Sequence, residues 1–303
     1  MKILFAGTTA QAARVLHHLA TRITVVAVLT REDAPVGRKG QLQESPVAAM
    51  AGELGLSVIK ANRVTPDIDA LIEHTDAEFG VVVAYGALLK SSTLKLLPGG
   101  WFNLHYSLLP AYRGAAPVQH ALLNAERTTG VTIFKLDEGM DTGEIYSQVE
   151  TTIEPGENSL DLLERLTSIG ITMLDELLPG LAAGTAKGTV QPAGGSLAGK
   201  LVRADARLDF NRPATALEHM VRAFNPEPVA WCEHGEAQLR ILDARAELQS
   251  LDGQVGTCIL VGGRVFVKCA QQALELLEVQ PAGKRPMNAA DWLRGQRDGE
   301  VLR

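Results

Sequence analysis

The chain has 303 residues, of which 46% are hydrophobic and 21% charged, and its formal net charge is −6. That length leaves room for two domains with a core each, and the negative balance excludes a nucleic-acid binder that works by overall basicity, though not one that grips through a local patch. No apolar run reaches membrane-spanning length, and the opening MKILFAGTTA enters a strand pattern without the parts of a signal peptide.

Residues 2–6 form a short apolar run ending in Gly7-Thr8. An Ala-rich amphipathic helix is expected over 11–20 and a β-branched strand over 23–29. Strand, glycine turn, helix, strand is the opening of a doubly wound α/β sheet. Gly7 lacks the further glycines of a dinucleotide fingerprint, so no NAD site is read here. Residues 30–45 are polar, and a structureless stretch of that length suggests function. Arg31, Arg38 and Lys39 stand there against Glu32, Asp33 and Glu44, and charge alone favours a solvated connector. Ser45 and Pro46 read as the cap and first residue of a helix that ends near 52–55. A third strand is expected over 57–60 and a short helix over 67–74. FGVVVAY, 79–85, is the most apolar run and reads as a central parallel strand. Gly86 directly after it would let a ligand approach the backbone.

The stretch WFNLHYSLLPAYRGAAP, 101–117, follows a Pro-Gly-Gly turn. Asn103 and His105 are two apart on an expected strand and therefore share a face. Leu-Leu-Pro at 108–110 stops the strand, and a loop with Arg113-Gly114 leads to a helix over 117–124. In LDEGMDTG, 136–143, a turn between two glycines carries Asp141, whose carboxylate can orient the imidazole. Asn, His and Asp together suit acyl-type transfer. The amide and a protonated imidazole donate to a developing oxyanion, and the carboxylate fixes the ring and its charge.

Strands are expected over 131–135 and 145–153 and an amphipathic helix over 160–178. From about 180 the chain turns to Gly, Ala, Thr and Pro, with no acidic residue over 177–204 but with Lys187, Lys200 and Arg203. That span reads equally as a plain linker and as a contact for backbone phosphates. A helix over 215–224 precedes five short strands near 229–232, 238–244, 256–261, 264–269 and 273–279, which suggest a small OB-like barrel. Basic residues gather near both its ends, including Lys284, Arg285, Arg294 and Arg297. Cys232, Cys258 and Cys269 are odd in number and lack metal spacing, against a disulfide framework and a zinc site. A reducing cytoplasm is the simplest setting. The expected architecture is α/β: a doubly wound, Rossmann-like N-terminal domain over 1–180, a linker over 181–203 and a smaller OB-like β-barrel domain over 204–303.

The string N-x-H-x-S-L-L-P-x-x-R-G-A-A-P, with D-x-G-x-D-T-G after it, resembles the signature of the folate-dependent formyltransferases. RAFNP and LLEVQPAGKRPMNAADWL resemble the carboxyl-terminal domain of the members that act on methionyl-tRNA, so the likeness covers nearly the whole chain. The resemblance implies a catalytic trio of Asn103, His105 and Asp141. It implies a folate and formyl site lined by Ser107, Leu108, Leu109 and Pro110, with the pterin near Tyr85 and Gly86. It implies 10-formyltetrahydrofolate as donor, initiator methionyl-tRNA as acceptor and no metal; no membrane partner and a monomeric state are expected beside it. The matching loop of the family enters the acceptor end of the tRNA, which points to Arg38 and Lys39. Lys200, Arg203, Lys284 and Arg285 are the further tRNA contacts expected. Where the family has G-T-P, this chain has Gly7-Thr8-Thr9.

Overall fold

The computed structural model describes residues 1–36, 40–296 and 300–303, so Arg38, Lys39 and Arg297 lie outside the described residues. The chain divides into two compact units. The first is Met1–Pro117, Thr128–Thr152 and Leu163–Ala198, and the second is Val118–Arg127, Ile153–Leu162 and Gly199–Arg303.

In chain order come β1 (Lys2–Gly7), α1 (Ala10–Ala20), β2 (Thr24–Thr30), β3 (Ala34–Val36), β4 (Gln41–Gln43), α2 (Pro46–Glu53), β5 (Val58–Lys60), α3 (Pro66–Glu73), β6 (Phe79–Val83) and α4 (Ser91–Leu94). They are followed by β7 (Trp101–His105), β8 (Arg113–Gly114), α5 (Pro117–Leu123), β9 (Thr128–Lys135), β10 (Ile145–Thr152), α6 (Ser159–Ala182) and β11 (Leu197–Ala198). The main sheet has the order β10-β9-β7-β6-β1-β2-β5. Its pairs from β7 to β5 are parallel, and β9 runs antiparallel to both neighbours.

Each local choice has a visible cause. Thr9 caps α1 by accepting from the Ala12 N–H, so the departure from G-T-P places a capping hydroxyl at the first turn. Ser45 does the same for α2, with Pro46 as its first residue. β6 sits mid-sheet, as its unbroken apolar run demands, and the Trp101 indole packs against Gly80, where a Cβ would meet it at 2.1 Å. On one face Leu4, Ala6, Val82 and Trp101 build a core with Leu29 and Ile72. The loop expected over 30–45 is not structureless, because β3 and β4 pair antiparallel within it.

The second unit has a 3-10 turn at Arg203–Ala206, then α7 (Ala214–Phe224), β12 (Trp231–His234), β13 (Ala237–Glu247), β14 (Cys258–Val261), β15 (Arg264–Lys268), β16 (Ala273–Pro281), β17 (Met287–Asn288) and α8 (Ala289–Arg294). The antiparallel order is β12-β13-β16-β15-β14, with β17 on β16. The chain end joins the two outer strands. Arg303 and Glu233 exchange backbone hydrogen bonds on the β12 side, and Glu300 O accepts from the Cys258 N–H on the β14 side. That closes the sheet into the expected barrel, filled by Leu239, Ile241, Val265, Leu274 and Val279 and plugged by Leu217, Val221 and Phe224 of α7. All three cysteines are buried and free. No helix among the described residues is long and apolar enough to cross a membrane.

Candidate functional site

β7 alternates as a strand must. Leu104 points to α6 and packs on Gly170, so Asn103 and His105 share the opposite face. Asn103 is half-buried, and its amide has no partner among the described residues. His105 is 5% exposed. Its Nε2 lies 2.9 Å from the Tyr112 carbonyl, which can only accept, so Nε2 carries the proton. Nδ1 then faces Asp141, with Oδ2 3.8 Å away, within electrostatic reach but too far for a hydrogen bond. Burial pushes the imidazole pKa below its ordinary value, while the Asp141 charge and the Tyr112 bond oppose that shift. At neutral pH the ring is therefore neutral. The protonated imidazole expected from sequence is not its resting form here, and Nε2–H can serve an oxyanion only by leaving Tyr112.

Asp141 is held at both ends. Its Oδ2 accepts from the Gly114 N–H at 2.7 Å, and its carbonyl accepts from Gln191 Nε2 at 2.8 Å. It stands at φ +53°, a left-handed conformation unusual for a residue with a side chain. Gly143 closes the turn because a Cβ there would lie 1.8 Å from the Lys135 carbonyl. Gln191 comes from the stretch expected to be a linker. Around it Thr189 pairs with Ile145, Ser196 Oγ accepts from the Tyr112 N–H, and β11 pairs with β8. Residues 189–198 thus form part of the shell of this site, which nothing in their composition signalled.

Of the residues expected to line a donor site, Ser107 and Leu109 are buried. Ser107 Oγ donates to Ala111 O at 2.6 Å, and Thr132 Oγ1 donates to Ser107 O at 2.6 Å. Gln148 Nε2 donates to Leu109 O at 3.0 Å. These bonds shape the 107–111 loop, leaving the partly exposed Leu108 and Pro110 as its open surface. Tyr85 requires a correction. Its side chain is 2% exposed, its hydroxyl donates to Ala61 O at 2.8 Å, and burial pushes its pKa up to about 12. The ring belongs to the core and presents no open face in this structure.

Gly86 is exposed at φ +79°, and its carbonyl accepts from Arg31 Nη1 at 2.8 Å. Arg31 Nε also donates to Asn62 Oδ1 at 2.7 Å. The sequence suggested that Glu32 and Asp33 neutralise this arginine. Instead Glu32 accepts from Asn62 and Asp33 pairs with Lys60. Arg31 is thus an anchor of the loop after β6, missed because its sequence neighbours are not its partners.

The second unit carries a separate surface. Trp231 stands opposite Arg240 across β12 and β13, and Arg240 stands opposite Gln280 across β13 and β16. Opposed strand residues share a face, so the three form a row, with Arg240 Nη1 donating to Gln280 Oε1 at 3.1 Å. At one end the guanidinium carbons of Arg203 and Arg207 lie 5.9 and 6.0 Å from the Trp231 ring centre. At the other, Gln280 Nε2 donates to Lys284 O at 3.0 Å, beside Arg285. Glu233, two residues from Trp231 along β12 and so on the same face, is paired to Arg207 at 3.1 Å. Arg203 at one end of the row and the Lys284 backbone at the other are brought to it from far apart in sequence. Lys200 is also exposed. Among the described residues no cluster of His, Cys, Asp or Glu has the form of a metal site.

Two family models match the chain: formyl transferase over residues 1–178, and the formyl transferase C-terminal domain over residues 200–297. A methionyl-tRNA formyltransferase of Renibacterium salmoninarum is 44% identical over 97% of this chain and 96% of its own length. Among solved structures, an N-formyltransferase of Helicobacter canadensis in complex with folinic acid and dTDP-3-aminofucose superposes with a TM-score of 0.69 at 18% identity, over 93% of this chain and 99% of that one. HypX of Aquifex aeolicus in complex with tetrahydrofolic acid gives a TM-score of 0.69 at 16% identity, covering 99% of this chain and 49% of that longer one. At such identities the two structures attest the fold alone.

Proposed function

The chain belongs to the formyl transferase family, and on that premise we infer that it formylates the α-amino group of methionyl-tRNA for translation initiation. The observation that carries this reading is full-length similarity to methionyl-tRNA formyltransferases in a chain where Asn103 and His105 share a face of β7 and His105 lies near Asp141. The donor is 10-formyltetrahydrofolate and the acceptor the initiator methionyl-tRNA, handled in the cytoplasm. Exposed backbone at Gly86 and the open surface of Leu108 and Pro110 suit a planar donor ring and its formyl arm.

A free α-amino group has a pKa of roughly 8, and esterification of the neighbouring carboxyl lowers it, so much of the nucleophile is already neutral at pH 7. The protein therefore needs position and charge stabilisation more than a strong base. The unpartnered Asn103 amide donates to the oxygen that gains charge when the amine attacks the formyl carbon. His105 joins it by turning Nε2–H from Tyr112, while its Nδ1, facing Asp141, takes the proton that the attacking amine releases. The adduct then collapses, the bond from the formyl carbon to N10 of the donor breaks, and that proton passes to the departing N10 of tetrahydrofolate. We assign the chemistry to the first unit and tRNA recognition to the second, where the Trp231–Arg240–Gln280 row offers an aromatic plane for a base and cations for phosphates. Arg38 and Lys39, from sequence, would serve the acceptor end.

The deciding experiment incubates the protein with 10-formyltetrahydrofolate and either methionyl-tRNA or a UDP-amino sugar. Formyl transfer to the tRNA and not to the sugar nucleotide is expected. Transfer to the sugar nucleotide alone would replace this reading with that of a sugar-nucleotide formyltransferase.

A further inference from the structure

Gln191 lies outside the trio and comes from a stretch whose composition is that of a linker, yet its amide is fully used. The two Nε2 hydrogens go to Asp141 O and Gly143 O, each at 2.8 Å. Oε1 accepts from Arg113 Nη2 at 2.7 Å and Nε at 3.2 Å. An amide has two donors and two acceptor sites, and all four are filled. The orientation is unambiguous, since a flipped amide would set its oxygen against two carbonyls and its NH₂ against a guanidinium. The residue is 9% exposed, so water competes little for these bonds.

The 141–143 turn needs such a hold. Asp141 occupies a left-handed conformation that is unfavourable for a non-glycine residue and persists only when its surroundings hold it. The segment 113–114 grips the same residue twice, through Gly114 N–H on the carboxylate and through Arg113 acting on Gln191. Both grips set where the carboxylate stands relative to His105.

We propose that Gln191 is a positioning residue for formyl transfer, holding the 141–143 turn so that the Asp141 carboxylate faces His105. The proposal rests on the trio as the reaction centre. Gln191→Ala is expected to lower kcat about 10–100-fold, the scale of a displacement of about 1 Å, with both KM values changed less than about twofold. Gln191→Glu still accepts from Arg113 but gives nothing to the two carbonyls, so it gives a similar loss and carries the test if the alanine variant fails to fold. In an Asp141→Asn background, Gln191→Ala adds less than about a further twofold, because both changes remove one function. A second readout needs no substrate. NMR titration of the His105 ring shows a lower pKa in Gln191→Ala, which adds no charge, since the nearby carboxylate that raises it has moved. Unchanged kcat in a wild-type-active background, or an unchanged His105 titration, overturns the proposal. If the wild-type protein transfers no formyl group, the functional reading fails and the titration still decides the role of Gln191.

Discussion

Arg31→Ala separates what the charge pattern suggests from what the fold does. The substitution removes a guanidinium that donates to Gly86 O at 2.8 Å and to Asn62 Oδ1 at 2.7 Å. Hydrogen bonds to a charged group contribute about 1.5–3 kcal/mol each, and the lower end applies because Arg31 is only half-buried. Asn62 keeps its bond to Glu32, so the loop around Gly86 bears most of the loss. Freeing that loop by about 1.5 kcal/mol weakens donor binding roughly tenfold. In steady-state assays the KM for 10-formyltetrahydrofolate should rise about tenfold, with the KM for methionyl-tRNA unchanged. Arg31→Lys, which can reach one acceptor but not both in a planar fork, should recover only part. A donor KM within about twofold of wild type, or a rise confined to the tRNA, would show that Gly86 does not border the donor.

Four further outcomes are expected. Asn103→Ala should lower turnover about 10²–10³-fold without unfolding the protein, and retention of more than about a tenth of the activity would refute the oxyanion role. Tyr85→Phe should cost about 1 kcal/mol in urea unfolding through the lost bond to Ala61 and leave the donor KM unchanged; a large KM effect would return the ring to the ligand site. Burial, the leading cause, holds the pKa of both His105 and His219 below the ordinary histidine value, so the unfolded chain binds more protons in the window below about pH 6.5. Stability should therefore rise with pH through that window and fall on acidification, and a His105→Gln variant should show a shallower slope of urea midpoint against pH. In the second unit, Trp231→Ala and Arg240→Ala should each raise the KM for methionyl-tRNA, with Arg240→Ala alone flattening its salt dependence, by a slope of about 1; equal effects on the donor KM would place the row elsewhere in the reaction.

The fold was legible where a residue acts on its near neighbours. The Pro-Gly-Gly turn at 98–100 marked the approach to β7, apolar and β-branched runs marked β2 and β6, and Ser45-Pro46 marked the start of α2, because each is a local preference that packing reinforces. Asn103 and His105 could be set on one face from their spacing alone. The miss at Tyr85 has a physical cause. Chain direction predicts that β6 ends at a ligand-facing edge, but whether the next ring turns outward depends on Ala61, which is distant in sequence. Arg31 failed in the opposite sense. Its adjacent acids suggested neutralisation, yet each found a partner about thirty residues away, leaving the guanidinium for Gly86. Gln191 is the extreme case, with its partners 78, 50 and 48 residues distant and its surroundings rich in Gly, Ala and Pro. A glutamine in such a segment has no local reason to be buried. It becomes informative only when Arg113 and the 141–143 turn are brought beside it by the pairing of β8 with β11. Residues that touch the reacting groups can be read from spacing on one element. Residues that hold those groups in place are supplied by whichever distant segment the topology brings alongside, and for Asp141 that segment is the one that composition assigns to no function.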